Sequence, residues 1–315
     1  MIALEASHLK KSYGDVLAVD DLSFQVNVGE VYGLIGPNGA GKSTTMMMIT
    51  GLLPPDAGTI SLNGALFDPR DRRMRADLGF VPQDVSLYPG LSAVQNLRFF
   101  GRLYGLRGQP LQERIDHILD LTGLRESADH KLADFSGGMK RRLNFGVALL
   151  HQPKFVVLDE PTVGIDPQSR SHLLEGVREL SRQGVGVLYA THYMEEVEAV
   201  CERVAIVDRG RLLREGSLDE LLGRQRMNVC ITVQHVPADL AESLRGLAEV
   251  KSTPDGGLHL VIEEGEAGTQ TTETKQLRRV LDLLDNAGIP LSAIETHEAS
   301  LEKLFLEMTG RSLRD

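Results

Sequence analysis

The sequence predicts an α/β protein with a mainly parallel sheet, followed by a smaller α+β domain. Three short apolar runs rich in β-branched residues indicate buried strands: EVYGLIG (30–36), KFVVLDE (154–160) and GVGVLYATH (184–192). Loops and helical patterns separate them, and strand, loop and helix in alternation imply parallel pairing. Ligands of such sheets bind at the carboxyl ends of the strands, so the residues that end each run should converge on one edge.

Helical patterns lie between these strands. KSTTMMMITGLL follows the first run directly and predicts a helix over 42–53. LQERIDHILDLTGL (111–124) repeats its apolar residues with helical spacing, which predicts an amphipathic helix. That helix belongs to a helical insert that also includes DFSGGMKRR (134–142).

A change of pattern near residue 224 marks the second domain, and we divide the chain into 1–223 and 224–315. The predicted order is β-α-β-β-α-β, which matches a ferredoxin-like unit, with one further helix at the end. EEGEAGTQTTET (263–274) is polar and predicts a loop. Strands are expected at 227–234, 248–253, 257–264 and 291–297, with PDGG joining the second and third, and helices at 237–246, 273–287 and 299–309.

Composition places the chain among ordinary soluble globular proteins. Of its 315 residues, 42% are hydrophobic and 25% are charged. No apolar run approaches the roughly twenty residues that a membrane-spanning helix needs, and MIALEASHLKK lacks the apolar segment of a secretion signal. The two cysteines, Cys201 and Cys230, form no CxxC or Cys/His group, which favours a reducing compartment without structural zinc. We therefore expect a cytosolic protein.

The net charge of −10 argues against two classes of partner. Nucleic-acid binding relies on a basic surplus that neutralises phosphates, and attraction to anionic lipid needs the same sign of charge. KRR (140–142) and RDRRMR (70–75) are the only local basic clusters, and we interpret each as a solvated helix or loop face. No nucleic-acid partner is expected.

GPNGAGKST (36–44) fits the phosphate-loop pattern G-x-x-x-x-G-K-[ST]. Its glycines let backbone amides turn toward phosphates, and the helix after it presents its positive end. We expect Lys42 to reach the β- and γ-phosphates and the Ser43 hydroxyl to bind Mg²⁺. The preceding strand and following helix supply the context that a chance match would lack. The nucleotide-binding residues are therefore Gly36, Pro37, Asn38, Gly39, Ala40, Gly41, Lys42, Ser43 and Thr44.

Two carboxylates follow the apolar run FVVL (155–158). Asp159 is expected to hold Mg²⁺, commonly through water. Glu160, one residue later, points elsewhere and could polarise an attacking water. Two solvated carboxylates at a strand end are the alternative, which the presence of a phosphate loop disfavours.

The segment DFSGGMKRR contains a second group suited to an anion. Ser136, Gly137 and Gly138 combine a hydroxyl, two bare backbone amides and the start of a helix. Capping of that helix by Ser136 is the alternative, and it uses the same geometry. Because GPNGAGKST is already the better phosphate site, these residues alone leave open whose phosphate the second group would hold.

With these motifs in order, residues 1–222 resemble the nucleotide-binding subunits of ABC (ATP-binding cassette) transporters. The resemblance implies a P-loop NTPase fold with a helical signature insert, and an ATPase that uses Mg²⁺. The shared features are Tyr13 before the first core strand, GPNGAGKST, Gln83 in FVPQD, FSGGM, FVVLDE, Asp166 in VGID and His192 in YATH.

The resemblance also implies whose phosphate the Ser-Gly-Gly motif holds. In this family two subunits pack head to tail, and the motif of one caps the γ-phosphate bound to the phosphate loop of the other. A phosphate loop leaves one side of the γ-phosphate open, and closing that side excludes water and strengthens the remaining electrostatic contacts. We therefore expect a homodimer in which Ser136, Gly137 and Gly138 contact the ATP of the second copy.

Four further residues take their expected roles from the resemblance. Tyr13 stacks on adenine, with a core tyrosine as the alternative. Gln83 contacts Mg²⁺ or the attacking water and senses the membrane partner, with a solvated loop residue as the alternative. His192 bonds to the γ-phosphate and orients the water, although an isolated histidine is more often structural. Asp166 lies at the subunit interface and helps to couple the two sites.

The sequence departs from the family pattern at two places. The commonest signature is LSGGQ, whereas Phe135 and Met139 flank Ser-Gly-Gly in this chain. Met139 lacks the polar contact that a glutamine makes, which predicts weaker closure of the site. Val163 replaces a serine in the loop before Asp166. Neither change removes a group that hydrolysis requires.

A membrane permease is the expected partner. The segment 84–106 contains Tyr88, Phe99, Phe100 and Tyr104, which suit a groove that receives a short permease helix. Helical core is the alternative, in particular for Phe99 and Phe100. In the family this region docks the permease.

Two segments indicate the subfamily. LDEPTVGIDPQSR (158–170) and EASLEKLFLEMTGR (298–311) resemble the type-2 exporters of the daunorubicin-resistance group. The resemblance implies an ATPase at the cytoplasmic face of the membrane, held there by a separately encoded permease that exports a drug, antibiotic, lipid or ion. The second domain carries no catalytic group and is interpreted as a dimer-stabilising or regulatory domain.

Two other functions remain open. An importer ATPase would be accompanied by a gene for a binding protein. A soluble ABC ATPase that acts on ribosomes or DNA generally carries two cassettes or long coiled coils, and this chain shows neither. A neighbouring gene for a membrane protein without its own ATPase would favour the exporter.

Overall fold

The computed structural model describes residues 1–222, 228–234, 236–252, 258–262, 270–297 and 300–309. Its strands are β1 (Ile2–Tyr13), β2 (Val16–Asn27), β3 (Val31–Ile35), β4 (Ala57–Leu62), β5 (Ala65–Leu66), β6 (Leu78–Val81), β7 (Phe155–Asp159), β8 (Gly186–Thr191), β9 (Arg203–Asp208), β10 (Arg211–Ser217), β11 (Asn228–Val233), β12 (Glu249–Ser252), β13 (Leu258–Ile262) and β14 (Leu291–His297). Its helices are α1 (Lys42–Ile49), α2 (Arg72–Ala76), α3 (Ala93–Leu103), α4 (Gly108–Leu121), α5 (Gly137–Ala148), α6 (Pro167–Arg182), α7 (Met194–Val200), α8 (Leu218–Leu221), α9 (Ala238–Arg245), α10 (Gln270–Asn286) and α11 (Leu301–Thr309), with short 3₁₀ helices at Arg125–Ser127 and Leu132–Asp134.

A six-stranded sheet forms the centre of the first unit, with the strand order β10-β9-β3-β8-β7-β6. All neighbours in it are parallel except β10, which pairs antiparallel with β9. The predicted mainly parallel sheet is therefore confirmed. Ile35 pairs with Thr191, and Asp159 pairs with Ala190, so β3, β7 and β8 end at the same level. This register brings the residues that follow the three strands to one edge.

A second sheet, with the order β2-β1-β4-β5, is antiparallel and was missing from the sequence-based fold. Register shifts interrupt the pairing of β1 with β2 between Ala6 and Leu9 and again between Leu9 and Lys11. Such irregularities break the strict alternation of apolar and polar residues by which a half-buried strand is recognised. Phe24 of this sheet stacks on Tyr32 of the central sheet within one apolar core.

Two predicted helices of the first unit are present with shifted ends. α1 ends at Ile49 rather than at residue 53, because Gly51 adopts a left-handed backbone (φ 71°) that a continuing helix does not allow. α4 begins at Gly108 and buries Leu111 and Ile115, as its amphipathic pattern predicts. Within the described ranges, no helix is both long enough and apolar enough to cross a membrane.

The chain divides into two units after Leu218. In the second unit the strand order is β12-β13-β11-β14 with every pair antiparallel, which is the ferredoxin-like arrangement that the element order predicted. α10 begins at Gln270, so residues 270–274 are helix rather than the predicted loop. The predicted domain boundary between residues 223 and 224 and the PDGG turn lie outside the described residues.

Candidate functional site

The phosphate loop connects β3 to α1, and two of its glycines are required by close backbone packing. A Cβ atom on Gly36 would lie 2.2 Å from the carbonyl oxygen of Val207. Gly41 has a left-handed backbone (φ 97°), and a Cβ atom there would lie 2.4 Å from the carbonyl oxygen of Ala18. No side chain caps the N-terminus of α1 in the part of the chain that the structure describes. The first amides of α1 are therefore suited to bind an anion.

Three predicted site residues meet at the carboxylate of a fourth, Glu160. Gln83 Nε2 donates to Oε2 over 3.4 Å, and His192 Nδ1 lies 3.2 Å from Oε1. Lys42 Nζ lies 3.8 Å from Oε1 and also donates to the carbonyl oxygens of Gly36 (2.7 Å) and Pro37 (3.1 Å). Lys42 and Glu160 are both buried. Three loops that are distant in sequence thus deliver their polar side chains to one carboxylate.

Two electrostatic effects act on the pKa of Lys42 in opposite directions. Burial lowers the pKa of the Lys42 ammonium, while the carboxylates of Glu160 and Asp159 act in the opposite direction. A buried ammonium is stable only when anions or carbonyl oxygens surround it. The phosphate loop carbonyls and Glu160 supply such partners, and nucleotide phosphates would supply stronger ones.

Glu160 occupies an unfavourable backbone conformation. Its φ of 45° lies in the left-handed region, which costs a non-glycine residue on the order of 1 kcal/mol or more. The conformation is held by two hydrogen bonds, from Glu160 N to Ala190 O (2.9 Å) and from Val163 N to Glu160 O (3.3 Å). Such strain persists where the surrounding structure fixes it, and it is common at active sites.

Asp159 and Ser43 form a pair suited to a divalent cation. Asp159 is buried, and its Oδ1 has no hydrogen-bond partner within the described part of the chain. Burial raises the pKa of the Asp159 carboxyl, and a hydrogen bond from the exposed Ser43 hydroxyl partly offsets this. A buried carboxylate oxygen without a partner is costly unless a cation or water binds it. A carboxylate and a hydroxyl side by side are ligands that Mg²⁺ accepts.

The Ser-Gly-Gly motif begins α5. Ser136 caps the helix, because its hydroxyl oxygen accepts a hydrogen bond from Met139 N at 3.2 Å. Gly137 is exposed, and the nearest atom to a Cβ placed there would be Gly164 O at 3.8 Å. Within the described residues, no hydrogen bond joins Ser136 or Gly137 to the phosphate loop of the same chain. Ser136 and Gly137 are both exposed, and among the described residues the partner of the Ser136 hydroxyl is Met139 N of the same helix.

Gly138 is needed by the packing of α5 on α6. A Cβ atom at this position would lie 2.1 Å from Ser169 Oγ and 2.7 Å from Asp166 Oδ2. Asp166 itself caps α6 by accepting from Ser169 N at 2.9 Å, and this bond is the main cause of its lowered pKa. The exposed Asp166 and the signature motif are therefore neighbours in one chain, which the sequence did not indicate.

Alanine substitutions at Gly137 and Gly138 should differ in their effect on the free energy of unfolding. We expect Gly138→Ala to lower the free energy of unfolding by about 1–3 kcal/mol, because the added methyl group overpacks the contact with Ser169. Gly137→Ala is the matched control: its methyl group makes only an ordinary contact with Gly164 O at 3.8 Å, and alanine favours a helix over glycine. Urea denaturation of both variants measures the difference. Equal stability of the two variants would contradict the packing role of Gly138.

Tyr13 is an exposed aromatic residue at the end of β1. It is the last residue of β1, pairs with Val16 across a tight turn, and is 47% exposed. Two residues beyond Val16, the carbonyl of Ala18 packs on Gly41. The Tyr13 ring is therefore accessible, and the strand that follows its turn packs on the start of α1 through Ala18.

The interpretation of KRR (140–142) as a solvated face was wrong for two of its three residues, because both arginines bind backbone carbonyls. The Arg141 guanidinium donates to the backbone carbonyl of Gln83. Arg142 donates to Thr122 O at 2.8 Å. Both side chains are partly buried, because α5 packs against the loop that carries Gln83 and against the end of α4. Arg141 thus links the signature helix to the loop that carries Gln83.

The segment 84–106 presents an aromatic surface, defined here as Tyr88, Phe99 and Phe100. The ring centroids of Tyr88 and Phe99 are 4.8 Å apart, and those of Phe99 and Phe100 are 5.3 Å apart. Tyr88 and Phe99 are 48% and 37% exposed, so helical core does not account for them. The fully buried Asn96 fixes the adjoining loop through hydrogen bonds to Tyr88 N (2.9 Å) and Tyr88 O (3.1 Å). Tyr104 lies apart and stacks on His151.

Comparison with protein families and known proteins bears on what this site does. The family model described as ABC transporter matches residues 19–163. The linearmycin resistance ATP-binding protein LnrL of Bacillus subtilis (strain 168) is 42% identical over 314 residues, which covers 99% of this chain and 100% of that protein. The Nod factor export ATP-binding protein I of Burkholderia orbicola (strain AU 1054) is 37% identical over 313 residues, covering 99% and 98%.

Solved structures that match this chain are also ATP-binding cassettes. A structure described as the ATP-binding subunit of an ABC transporter matches with a TM-score of 0.64 and 34% identity, covering 70% of this chain and 91% of that chain. A dimeric ATP-binding cassette in a post-hydrolysis state, bound to ADP and Pi, matches with a TM-score of 0.62 and 26% identity, covering 68% and 98%.

Proposed function

The chain belongs to the ABC transporter family, and from this premise we propose that it is the ATP-hydrolysing subunit of an exporter. The convergence of Lys42, Gln83 and His192 on Glu160 carries this proposal. The family gives the activity, which is ATP hydrolysis. The relatives that are named for linearmycin resistance and Nod factor export support the outward direction of transport.

Glu160 is proposed as the general base of hydrolysis. Its carboxylate is held by Gln83 and His192, which orients it toward a water molecule at the end of the phosphate loop. Lys42 would exchange its bonds to Gly36 O and Pro37 O for bonds to the β- and γ-phosphates. His192 would then contact the γ-phosphate while it keeps Glu160 in place. The residues of the loop from Gly36 to Thr44 are proposed to bind the phosphates, and Tyr13 to stack on the adenine.

Mg²⁺ fits the pair formed by Ser43 and Asp159. The unpartnered Oδ1 of Asp159 and the Ser43 hydroxyl are oxygen ligands of the kind that this ion prefers. The side-chain oxygen of Gln83 is proposed as a third ligand, since its Nε2 is the atom directed at Glu160. When bound, the ion would neutralise charge on the phosphate oxygens.

Cassettes of this family function as dimers with membrane permeases. We propose that this chain forms a head-to-tail homodimer in which Ser136, Gly137 and Gly138 contact the nucleotide of the second copy. The exposure of Ser136 and Gly137 supports this arrangement, because within the described residues neither is hydrogen-bonded to the phosphate loop of its own chain. Asp166 is exposed beside them and would lie in the same interface.

The aromatic surface is proposed as the docking site for the permease. Large apolar side chains that are this exposed and this close together are common at protein interfaces. The surface follows Gln83 in sequence, and Arg141 fixes the backbone at Gln83. A permease helix on this surface would therefore sit next to a residue that contacts Glu160. Attachment to the cytoplasmic face of the membrane through the permease follows from this proposal.

Phe99→Asp should uncouple the chain from its permease. We expect basal ATPase activity within about twofold of wild type, because Phe99 lies on α3, which supplies none of the hydrogen bonds or ion pairs described above for Glu160. We also expect loss of most permease-stimulated activity. The test uses inside-out membrane vesicles that contain this chain together with its permease, and an antibiotic to which a strain lacking both proteins is hypersensitive. ATP-dependent accumulation of the compound in the vesicles indicates export, and ATP-dependent release indicates import.

Leu66→Asp provides the matched control. Leu66 is 65% exposed on the antiparallel sheet, so the substitution adds the same charge to another exposed apolar position. Transport should survive in this variant. If Phe99→Asp and Leu66→Asp transport equally well, the aromatic surface is not the docking site. If wild-type vesicles release rather than accumulate the compound, the chain belongs to an importer.

A further inference from the structure

Glu196 is a buried carboxylate that the sequence did not single out. It lies on α7, is 1% exposed, and its two oxygens accept hydrogen bonds from three hydroxyl groups. Thr162 Oγ1 lies 2.7 Å from both oxygens, Tyr189 Oη lies 2.8 Å from Oε2, and Thr191 Oγ1 lies 3.2 Å from Oε2. Burial raises the pKa of Tyr189, so its hydroxyl remains protonated and available as a donor.

A cation completes this network. Arg170 Nε lies 3.3 Å from Glu196 Oε1, and its guanidinium lies 5.1 Å from the centroid of the Tyr193 ring. Arg170 also belongs to the first turn of α6, since its amide donates to Asp166 O at 3.0 Å. The carboxylate therefore contacts the loop after β7, the strand β8 and the helix α6 at once.

Two of the three hydroxyl groups belong to residues that are near Glu160 or His192 in sequence. Thr162 is two residues after Glu160, in the turn that holds the left-handed backbone of Glu160. Thr191 immediately precedes His192, and its hydroxyl also accepts from Tyr193 N at 3.0 Å. The Glu196 carboxylate is thus hydrogen-bonded both to the turn after Glu160 and to the residue before His192.

Stability alone is a weak reason to bury this group. Removing a carboxylate from water costs several kcal/mol (order of magnitude), and an apolar side chain of similar volume often serves a core as well or better. The carboxylate instead orients its neighbours, because it fixes three hydroxyl groups on two different segments. We propose that Glu196 is a positioning residue, which sets the distance between His192 and Glu160 without touching the substrate. The inference rests on the roles proposed above for Glu160 and His192.

The test is a double-mutant cycle between Glu196→Gln and His192→Ala in the full-length ATPase. Glutamine keeps the shape of the side chain, but its amide group leaves one oxygen to accept where the carboxylate has two. We expect kcat to fall about tenfold to a hundredfold in Glu196→Gln, with KM for ATP changed by less than about threefold. In the His192→Ala background the same substitution should change kcat by less than about twofold, because the pair it positions is already lost.

Glu195→Gln is the matched control, since it removes one carboxylate from the neighbouring, exposed position of α7 and should leave kcat unchanged. Tyr189→Phe removes a single hydroxyl from the network and replaces Glu196→Gln in the cycle if the latter does not fold. Wild-type kcat in Glu196→Gln, or an equal fold-loss in both backgrounds, would overturn the inference. Full activity of His192→Ala would instead overturn the proposed role of His192, so the two failures are distinguishable.

Discussion

Glu160→Gln is expected to bind ATP, to lose at least about a hundredfold in kcat, and to accumulate ATP-bound dimers. The amide has the size of the carboxylate and can still contact Gln83 and His192, so the site should keep its geometry. It cannot take a proton from water, and it no longer pairs with Lys42 at 3.8 Å. Binding should therefore survive while the chemical step fails.

Size-exclusion chromatography with and without Mg-ATP would detect the accumulated dimer, and phosphate release would give the rate. Glu195→Gln again serves as the control, because it makes the same change on an exposed helix position. Full turnover in Glu160→Gln would remove Glu160 from the catalytic role. A variant that is slow but also fails to bind nucleotide would show that the carboxylate supports the site rather than the reaction.

Two inactive variants should restore activity when they are mixed. Lys42→Ala disables the phosphate loop, and Ser136→Arg blocks the signature motif with a bulky cation. In a mixed dimer, the intact phosphate loop of one subunit faces the intact signature of the other, so one composite site is whole. Random exchange of subunits makes about half of the dimers mixed, and each has one of two sites, so about a quarter of wild-type activity is expected.

The complementation requires that each variant alone is almost inactive and that subunits exchange before the assay. Refolding from a common denatured pool, or co-expression with two different tags, satisfies the second condition. Gly137→Ala mixed with Lys42→Ala offers a milder version, because its methyl group causes no clash within its own chain. A mixture that never exceeds the separate variants would contradict action of the signature on the second subunit.

Periodicity was sufficient for the elements that bury one regular face. The three parallel core strands and the order of the ferredoxin-like unit follow from patterns within a dozen residues, and the structure confirms them. β1 and β2 were not predicted, because their irregular pairing disturbs the alternation of apolar and polar residues that identifies a strand. Glu196 was missed for a related reason: a carboxylate between buried Met194 and Val197 interrupts an apolar helix face, and that interruption was its only signal.

Local sequence determined the phosphate loop, the capping serine of α5 and the strand ends that carry Asp159, Glu160 and His192. These features depend on a few consecutive residues, whose backbone preferences and hydrogen-bonding groups act over one turn of chain. The tertiary structure decided the rest: the meeting of Lys42, Gln83 and His192 at one carboxylate, the closeness of Gly138 to Ser169, and the network around Glu196. Each of these is a contact between segments far apart in the chain, and its distance is set by how sheets and helices pack, which no local pattern encodes.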